Sequence, residues 1–366
     1  MPTGWRSYDV IVVGGGPAGS SCATFCALRS LRVALLDRAS FPRHKVCGDF
    51  LNPRCWELFE RLNVAERVLA LPHHETPGFL LSTVEGKTIQ VEFAAETRKL
   101  HRCVAVSRQL LDHCLLQRAR EAGVDVREAT TVVGLSRGRQ WSVETEGESL
   151  SADVLVGADG RHSFVGRRAG LLRREARDER VGMQFHFRCA DSMSDCIQLH
   201  QLQRGYCGAT KIHDNVANIC MVVPRHLAGD AGPHSLQSNP VLARSLAGAE
   251  LLEKPRSITP ILGSEFLASG DGALLVGDAA RVIEPFTGQG IWFALRSGEL
   301  AADAIARGGL PGYERALETE YAAHARTNRL FRQVLWRDWA VRGLARIADL
   351  RPRWMKAIVG SVIHGA

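Results

Sequence analysis

Gly14, Gly16 and Gly19, in the run Gly14-Gly15-Gly16-Pro17-Ala18-Gly19, have the spacing G-x-G-x-x-G, and an acid, Asp37, follows 23 residues after Gly14. Each residue type suits dinucleotide binding. Gly14 permits a tight turn, Gly16 lets backbone approach a pyrophosphate, and Gly19 lets a helix pack closely on a strand. A helix opening at Pro17-Ala18 aims its free N–H groups at the phosphates. A carboxylate at position 37 can accept hydrogen bonds from a ribose diol, which favours FAD or NAD over NADP.

The elements that must position these residues are legible around them. Tyr8 to Val13 is a β-branched run of the kind found in buried parallel strands. Pro17 to about Arg29 is small and apolar, as a helix packed on a sheet would be, and a second strand, Arg32 to Leu36, ends at Asp37-Arg38. Two later strands also end in glycine–acid pairs. Ala152 to Gly157 leads into Ala158-Asp159-Gly160 and then Arg161, and Gly272 to Val276 leads into Gly277-Asp278. The second is followed by Pro285-Phe286-Thr287-Gly288-Gln289-Gly290-Ile291 and a helix from about Trp292 to Ala306.

In these motifs, over roughly residues 8 to 310, the chain resembles the p-hydroxybenzoate hydroxylase-fold flavoproteins, and within them the geranylgeranyl reductase-like branch. Phe41-Pro42-Arg43-His44-Lys45-Val46-Cys47-Gly48-Asp49, the Pro285–Ile291 run and Ser297-Gly298-Glu299 carry the branch-level likeness. The resemblance implies FAD as cofactor. Asp278 would then meet its ribityl and pyrophosphate part. Gly288, Gly290 and Ile291 would present backbone N–H groups at the pyrimidine edge of the ring, where a helix N-terminus stabilises negative charge. Arg108 sits where family members place an arginine on the cofactor, and backbone at Val133 would hold the adenine.

Flavin chemistry depends on what lies over the ring, and by the same resemblance Cys47-Gly48 lies close to it. A thiol there could shield the ring, donate a proton or simply pack. Lys45 could lower a neighbouring thiol pKa or bind phosphate. Asp49 stands where the reductases commonly have glycine, although aspartate also occurs there in bacterial relatives. The lipid reductases also carry a Tyr-x-Trp-x-Phe-Pro segment; here the run is Gly205-Tyr206-Cys207-Gly208-Ala209-Thr210-Lys211-Ile212, with only Tyr206 retained as a candidate beside Cys47. That departure argues against a long prenyl-lipid substrate and leaves room for a polyketide-like, aromatic or quinone-like one. The Trp-x-Trp-x-Ile-Pro run of same-fold halogenases is missing. No second G-x-G-x-x-G occurs, so any NAD(P)H would bind transiently near the flavin.

Composition and layout fit this frame. The 366 residues suggest about two domains, and 45% hydrophobic with 23% charged residues exclude a disordered or collagen-like chain. The ten cysteines form no C-x-x-C pair, so no zinc or cluster site is expected, and free thiols suit a reducing cytoplasm. The expected fold is α/β: a discontinuous Rossmann-like FAD domain (1–72, 100–175 and 256–312), a mainly antiparallel substrate sheet (73–99 and 176–255) and C-terminal helices (313–366). Alternating stretches such as Gln184-Phe185-His186-Phe187-Arg188 predict strands with one face over a pocket. Residues 326–366 hold nine Lys/Arg against two acids, with Trp336, Trp339 and Trp354 interleaved. This pattern suits a capping helix pair or a peripheral membrane contact rather than nucleic acid.

Three readings stay open at this level. The first is a reductase or dehydrogenase moving hydride between flavin N5 and a carbon of a hydrophobic small molecule. The second is an NAD(P)H- and O2-dependent monooxygenase. The third is a non-catalytic binding protein on the same fold.

Overall fold

The computed structural model describes residues 6–93, 103–189, 193–213, 215–310, 312–322 and 343. The β-branched run forms the strand Arg6–Val13, in which Val10, Ile11 and Val12 are fully buried. It lies at the centre of a sheet and pairs in parallel with Val33–Leu36 on one side and Ser149–Gly157 on the other. Asp125–Arg127 and Ala273–Leu275 extend the parallel part outward. Strands Val132–Arg137 and Trp141–Thr145 add an antiparallel flap to the first half of Ser149–Gly157. Each glycine–acid motif therefore follows the carboxyl end of a strand of one sheet, the edge where open α/β sheets bind ligands.

The central strands are buried on both sides, so they lack polar alternation. The helix Pro17–Ala27 is built almost wholly from small residues and is buried along most of its length. Its hydroxyls are satisfied by nearby carbonyls: Ser20 Oγ donates to Gly15 O and Thr24 Oγ1 to Ser20 O. Against it lies the helix Gly290–Ala306. The Ser297-Gly298-Glu299 run explains that fit. Ser297 Oγ accepts the Gly277 N–H at 2.8 Å, a Cβ on Gly298 would strike Ser21 and Ala18, and Glu299 accepts from Arg61 Nε at 2.7 Å.

The second large sheet has strands Gly78–Ser82, Thr88–Glu92, Arg180–Arg188, Ile197–Leu202, Gly205–His213 and Val216–Pro224. It is antiparallel apart from the parallel pairing of Ile197–Leu202 with Gly78–Ser82. One outer face packs Phe185, Phe187, Ala217 and Ile219 into their own apolar cluster.

The domain boundaries differ from expectation at two places. Arg256–Ile258 pairs with Gly182–Gln184, so the substrate sheet extends beyond residue 255. His73–Glu75 pairs instead with Val104–Val106 in a small three-stranded sheet that also holds Phe50–Leu51. Both are three-residue strands, too short for alternation to indicate which sheet they join. Tyr313 is buried, and its hydroxyl donates to Leu275 O at 2.6 Å, so the start of the C-terminal segment packs on the first domain. The basic Trp-containing stretch of 326–366 lies outside the described residues apart from Gly343. No helix among the described residues is long and apolar enough to cross a membrane.

Candidate functional site

The glycine loop is built from close approaches. Gly14 has φ +109, and a Cβ there would meet the backbone of Ala158; a Cβ on Gly19 would collide with Gly14 O. Asp37 is buried, and both its oxygens are engaged: Oδ2 accepts from Gly15 N at 2.6 Å and Oδ1 from Ala39 N at 2.8 Å. Its carboxylate thus ties the loop to the second strand. Arg38 points outward and is exposed, as is Val133. No side chain caps the helix that begins at Pro17, which leaves its N-terminal dipole facing the groove.

Four cations converge beside that helix start. Asp112, fully buried, accepts a two-pronged bond from Arg108 (2.7 and 2.8 Å) and pairs with Arg43 at 3.3 Å. The Arg43 guanidinium lies 4.6 Å from the Phe41 ring centroid and 3.4 Å from where a Cβ on Gly16 would be. Lys45 Nζ lies 3.8 Å from the Cβ position of Gly160. Burial pushes the Lys45 ammonium below its ordinary range; Asp278 opposes this, while Arg108, Arg161 and Arg43 add to it. Arg161 Nη2 reaches Asp278 Oδ2 at 3.2 Å.

This groove fits the dinucleotide the motifs imply. Crowded, partly desolvated cations suit a polyanion such as a pyrophosphate, and substituents added at Gly48 and Gly290 would meet open space. Asp278 is half-exposed at the groove. Asp159, by contrast, accepts from Ser163 Oγ (2.6 Å) and Val165 N (3.0 Å), organising the turn into Phe164–Arg168 while Gly160 stays open.

The far end is the loop before Gly290–Ala306. Gly288 has φ +65, and a Cβ there would stand 2.5 Å from the Phe50 ring. Pro285 is exposed, Ile291 is buried, and no side chain caps the helix start. Glu284, just ahead of this loop, is clamped by buried Arg180, which also grips Asp178. Tyr206 is buried in the apolar cluster of Phe50, Val222 and Ile261, 6.0 Å edge-on from Phe286. Burial pushes its phenol well above the ordinary range, which keeps it protonated.

Between the two ends lies the Cys47–Asp49 turn. Three groups of the second sheet donate to the Cys47 carbonyl: Gln184 Nε2 at 2.9 Å, Asn218 Nδ2 at 2.7 Å and Cys220 Sγ at 3.0 Å. Strand register brings them together, because Gln184 pairs with Cys220 and His186 with Asn218, all on one face. The Cys47 thiol is half-buried, receives the Asp49 N–H at 3.4 Å and lies against the Arg108 guanidinium. Burial raises its pKa against the pull of Arg108.

Residues 7–307 match the FAD binding domain family, a span covering most of the chain. The chain belongs to that family and is a flavin-dependent oxidoreductase. Among its relatives is the menaquinone reductase of Mycolicibacterium smegmatis, 28% identical over 86% of this chain and 80% of that one. A digeranylgeranylglycerophospholipid reductase of Methanosarcina mazei is 27% identical over 81% of this chain and 74% of that one. The solved structure of the flavin-dependent brominase Bmp2 superposes with a TM-score of 0.81 at 20% identity, over 99% of this chain and 94% of that chain, which establishes shared fold.

FAD would be held in this groove, and several residues that line it or hold the Cys47–Asp49 turn were not singled out by the motifs. Arg43 and Arg161 stand inside recognised runs, and their charge beside a glycine turn was the available signal. Gln184, Asn218 and Cys220 had a subtler one: polar or thiol residues recurring on one face of apolar strands. Arg108 was expected near the cofactor, and it is buried between Asp112 and Cys47 rather than solvated at a helix start.

Proposed function

We propose that this flavoenzyme is a reductase or dehydrogenase acting on a carbon–carbon double bond, or a quinone-type ring, of a hydrophobic small molecule. The observation that carries this reading is the Cys47–Asp49 turn, the branch-level motif, held by three donors of the second sheet so that Gly48 faces open space. Similarity to a menaquinone reductase over most of both chains supports it.

Bound FAD supplies two-electron redox chemistry. The protein's own groups do the rest. Arg43, Lys45, Arg108 and Arg161 hold the anionic part of the cofactor, and the uncapped start of Gly290–Ala306 favours negative charge at the other end. Phe50, Tyr206, Phe286, Val222 and Ile261 form an apolar cluster at the junction of the sheets and suit an apolar substrate. The Cys47 thiol, kept neutral by burial, is a proton donor or a packing group at the turn. NAD(P)H, visiting from solution, is the proposed reductant.

The test is anaerobic. The photoreduced holoenzyme is mixed with hydrophobic acceptors bearing C=C bonds or quinone rings, and the return of yellow absorbance is followed. Reoxidation without O2, with a product two hydrogens heavier, supports the proposal. An absolute need for O2, with labelled oxygen appearing in the product, would move the assignment to a monooxygenase.

A further inference from the structure

Behind the Cys47–Gly48 turn, an acid, a base and a second acid run in line towards solvent. Asp49 is buried, with Oδ1 accepting the Arg108 N–H at 3.3 Å and Oδ2 accepting Asn218 Nδ2 at 2.9 Å. His186 Nε2 stands 3.8 Å from Asp49 Oδ2, and its Nδ1 lies 2.6 Å from Glu253 Oε1. Glu253 and Arg256 are paired by two bonds and are each about 30% exposed. Asp49 also has φ +57, a left-handed conformation that costs a non-glycine residue about 1 kcal/mol. Glycine would avoid that cost but would supply no carboxylate.

We propose that Asp49, His186 and Glu253 form a proton path joining solvent to the back of the Cys47–Gly48 turn, delivering the proton that reductive chemistry at the site consumes. The proposal rests on the reductive reading above. The imidazole has one nitrogen facing each way. It takes a proton at Nδ1 from the Glu253 side and releases one from Nε2 to the Asp49 carboxylate. Only N–H and O–H bonds form and break, and one proton crosses for each substrate carbon or oxygen protonated. The 3.8 Å gap exceeds a hydrogen bond, so transfer requires the ring to swing inward.

Two of the three groups have other partners as well: Asp49 accepts from Asn218 and the Arg108 backbone N–H, and Glu253 is paired with Arg256, which together with His186 lowers its carboxyl to about 2 against burial. Arg108 is paired with Asp112, and Arg256 with Glu253. Gln184 and Asn218 are neutral amides. Burial raises the Cys47 and Cys220 thiols, so they are uncharged. Nearby His44 is held below its ordinary value by burial and then by Arg256. Burial likewise raises Asp49, against His186 and Arg108. His186 itself is lowered by burial but raised on balance by Asp49 and Glu253.

Two measurements on holoenzyme decide the matter. In 13C-histidine-labelled protein, with the signal assigned by its loss in His186→Gln, His186 should titrate above an ordinary histidine. Asp49→Asn and Glu253→Gln should each lower that midpoint by about one unit. The second is the anaerobic oxidation of photoreduced holoenzyme by 2-methyl-1,4-naphthoquinone across pH. The wild-type rate should fall above the His186 midpoint. His186→Gln should lose that inflection and run at least about tenfold slower below it. Free imidazole should restore His186→Gly but not Asp49→Asn. A midpoint indifferent to both acid substitutions, or a wild-type pH profile in His186→Gln, overturns the path. Should Asp49→Asn fail to fold, Glu253→Gln decides the titration alone. Failure of every form to reduce the quinone overturns the reductive reading, while the titration still decides whether the three groups act together.

Discussion

The side-chain amide of Asn218 lies 2.7 Å from the carbonyl oxygen of Cys47, bonding two residues 171 positions apart in the chain. The same nitrogen reaches Asp49 Oδ2 at 2.9 Å, so one side chain of the second sheet fixes both ends of the turn. Replacing it with leucine keeps most of the volume and removes both bonds. Asn218→Leu should therefore destabilise the protein by about 1–3 kcal/mol, the cost of taking the amide donor from buried Asp49 Oδ2, while Cys47 O keeps Gln184 and Cys220. Denaturant unfolding measures this, and faster amide exchange at residues 47–49 would localise it. An unchanged midpoint with unchanged exchange would deny Asn218 this anchoring role.

Asp278→Ala should lower FAD content. The carboxylate stands half-exposed at the groove, where it would accept hydrogen bonds from the cofactor's hydroxyls, and alanine removes that acceptor. Loss of a charge-assisted bond of about 1.5–3 kcal/mol corresponds to roughly tenfold or more in affinity. The ratio of flavin to protein absorbance after gel filtration reports it, and full yellow occupancy would count against the assignment.

Arg180→Met should be the most destabilising of these changes. Arg180 holds Asp178 (2.7 Å) and Glu284 (3.2 Å), and all three side chains are at least about 87% buried. Methionine matches its length but leaves two buried carboxylates without their cation, at a cost of about 3–5 kcal/mol. Thermal unfolding should fall sharply, and added FAD should recover part of the loss because the affected loop leads to Gly288.

His200 gives the protein an acid-sensitive lock. It is fully buried, with Nδ1 2.7 Å from Ser82 Oγ and Nε2 3.0 Å from Gln198 Oε1. Burial lowers its pKa to about 4. Unfolded histidine titrates near 6.5, so between those values the unfolded chain binds the proton and the folded one does not. Stability should decline as pH falls from about 6.5 towards 4, by about 3 kcal/mol from this group. His200→Gln should flatten that segment of the stability–pH curve; the same slope in the variant would assign it to other groups.

Cys47→Ser should slow substrate turnover more than it weakens FAD binding. The turn is held through its backbone carbonyl, which serine retains, whereas the neutral thiol beside Arg108 is lost. Equal steady-state rates with full flavin content would remove the thiol from the mechanism.

How much was legible follows from how local each feature is. The strand Arg6–Val13, the glycine loop and the helix after it occupy 22 consecutive residues, so their pattern is readable without knowledge of any partner. Asp37 was legible as an acid at the right distance, but its bond to Gly15 N was not. Alternation exposed the strand Arg180–Arg188, whereas the three-residue strands His73–Glu75 and Arg256–Ile258 were assigned to the wrong neighbours because so few residues carry no period. Tyr206 was picked out by a motif that had mostly disappeared, and it lies within an apolar cluster.

Sequence alone determined the nucleotide cradle, because a strand, a glycine turn and a helix start impose their backbone geometry through neighbouring residues. Only the tertiary structure decided how the Cys47–Asp49 turn is held and what stands behind it. Gln184, His186, Asn218, Cys220 and Glu253 reach that turn from strands and loops more than 130 residues further along the chain. Their meeting depends on strand register and sheet packing, which hydrogen bonding sets across the sheet and no local run of residues encodes.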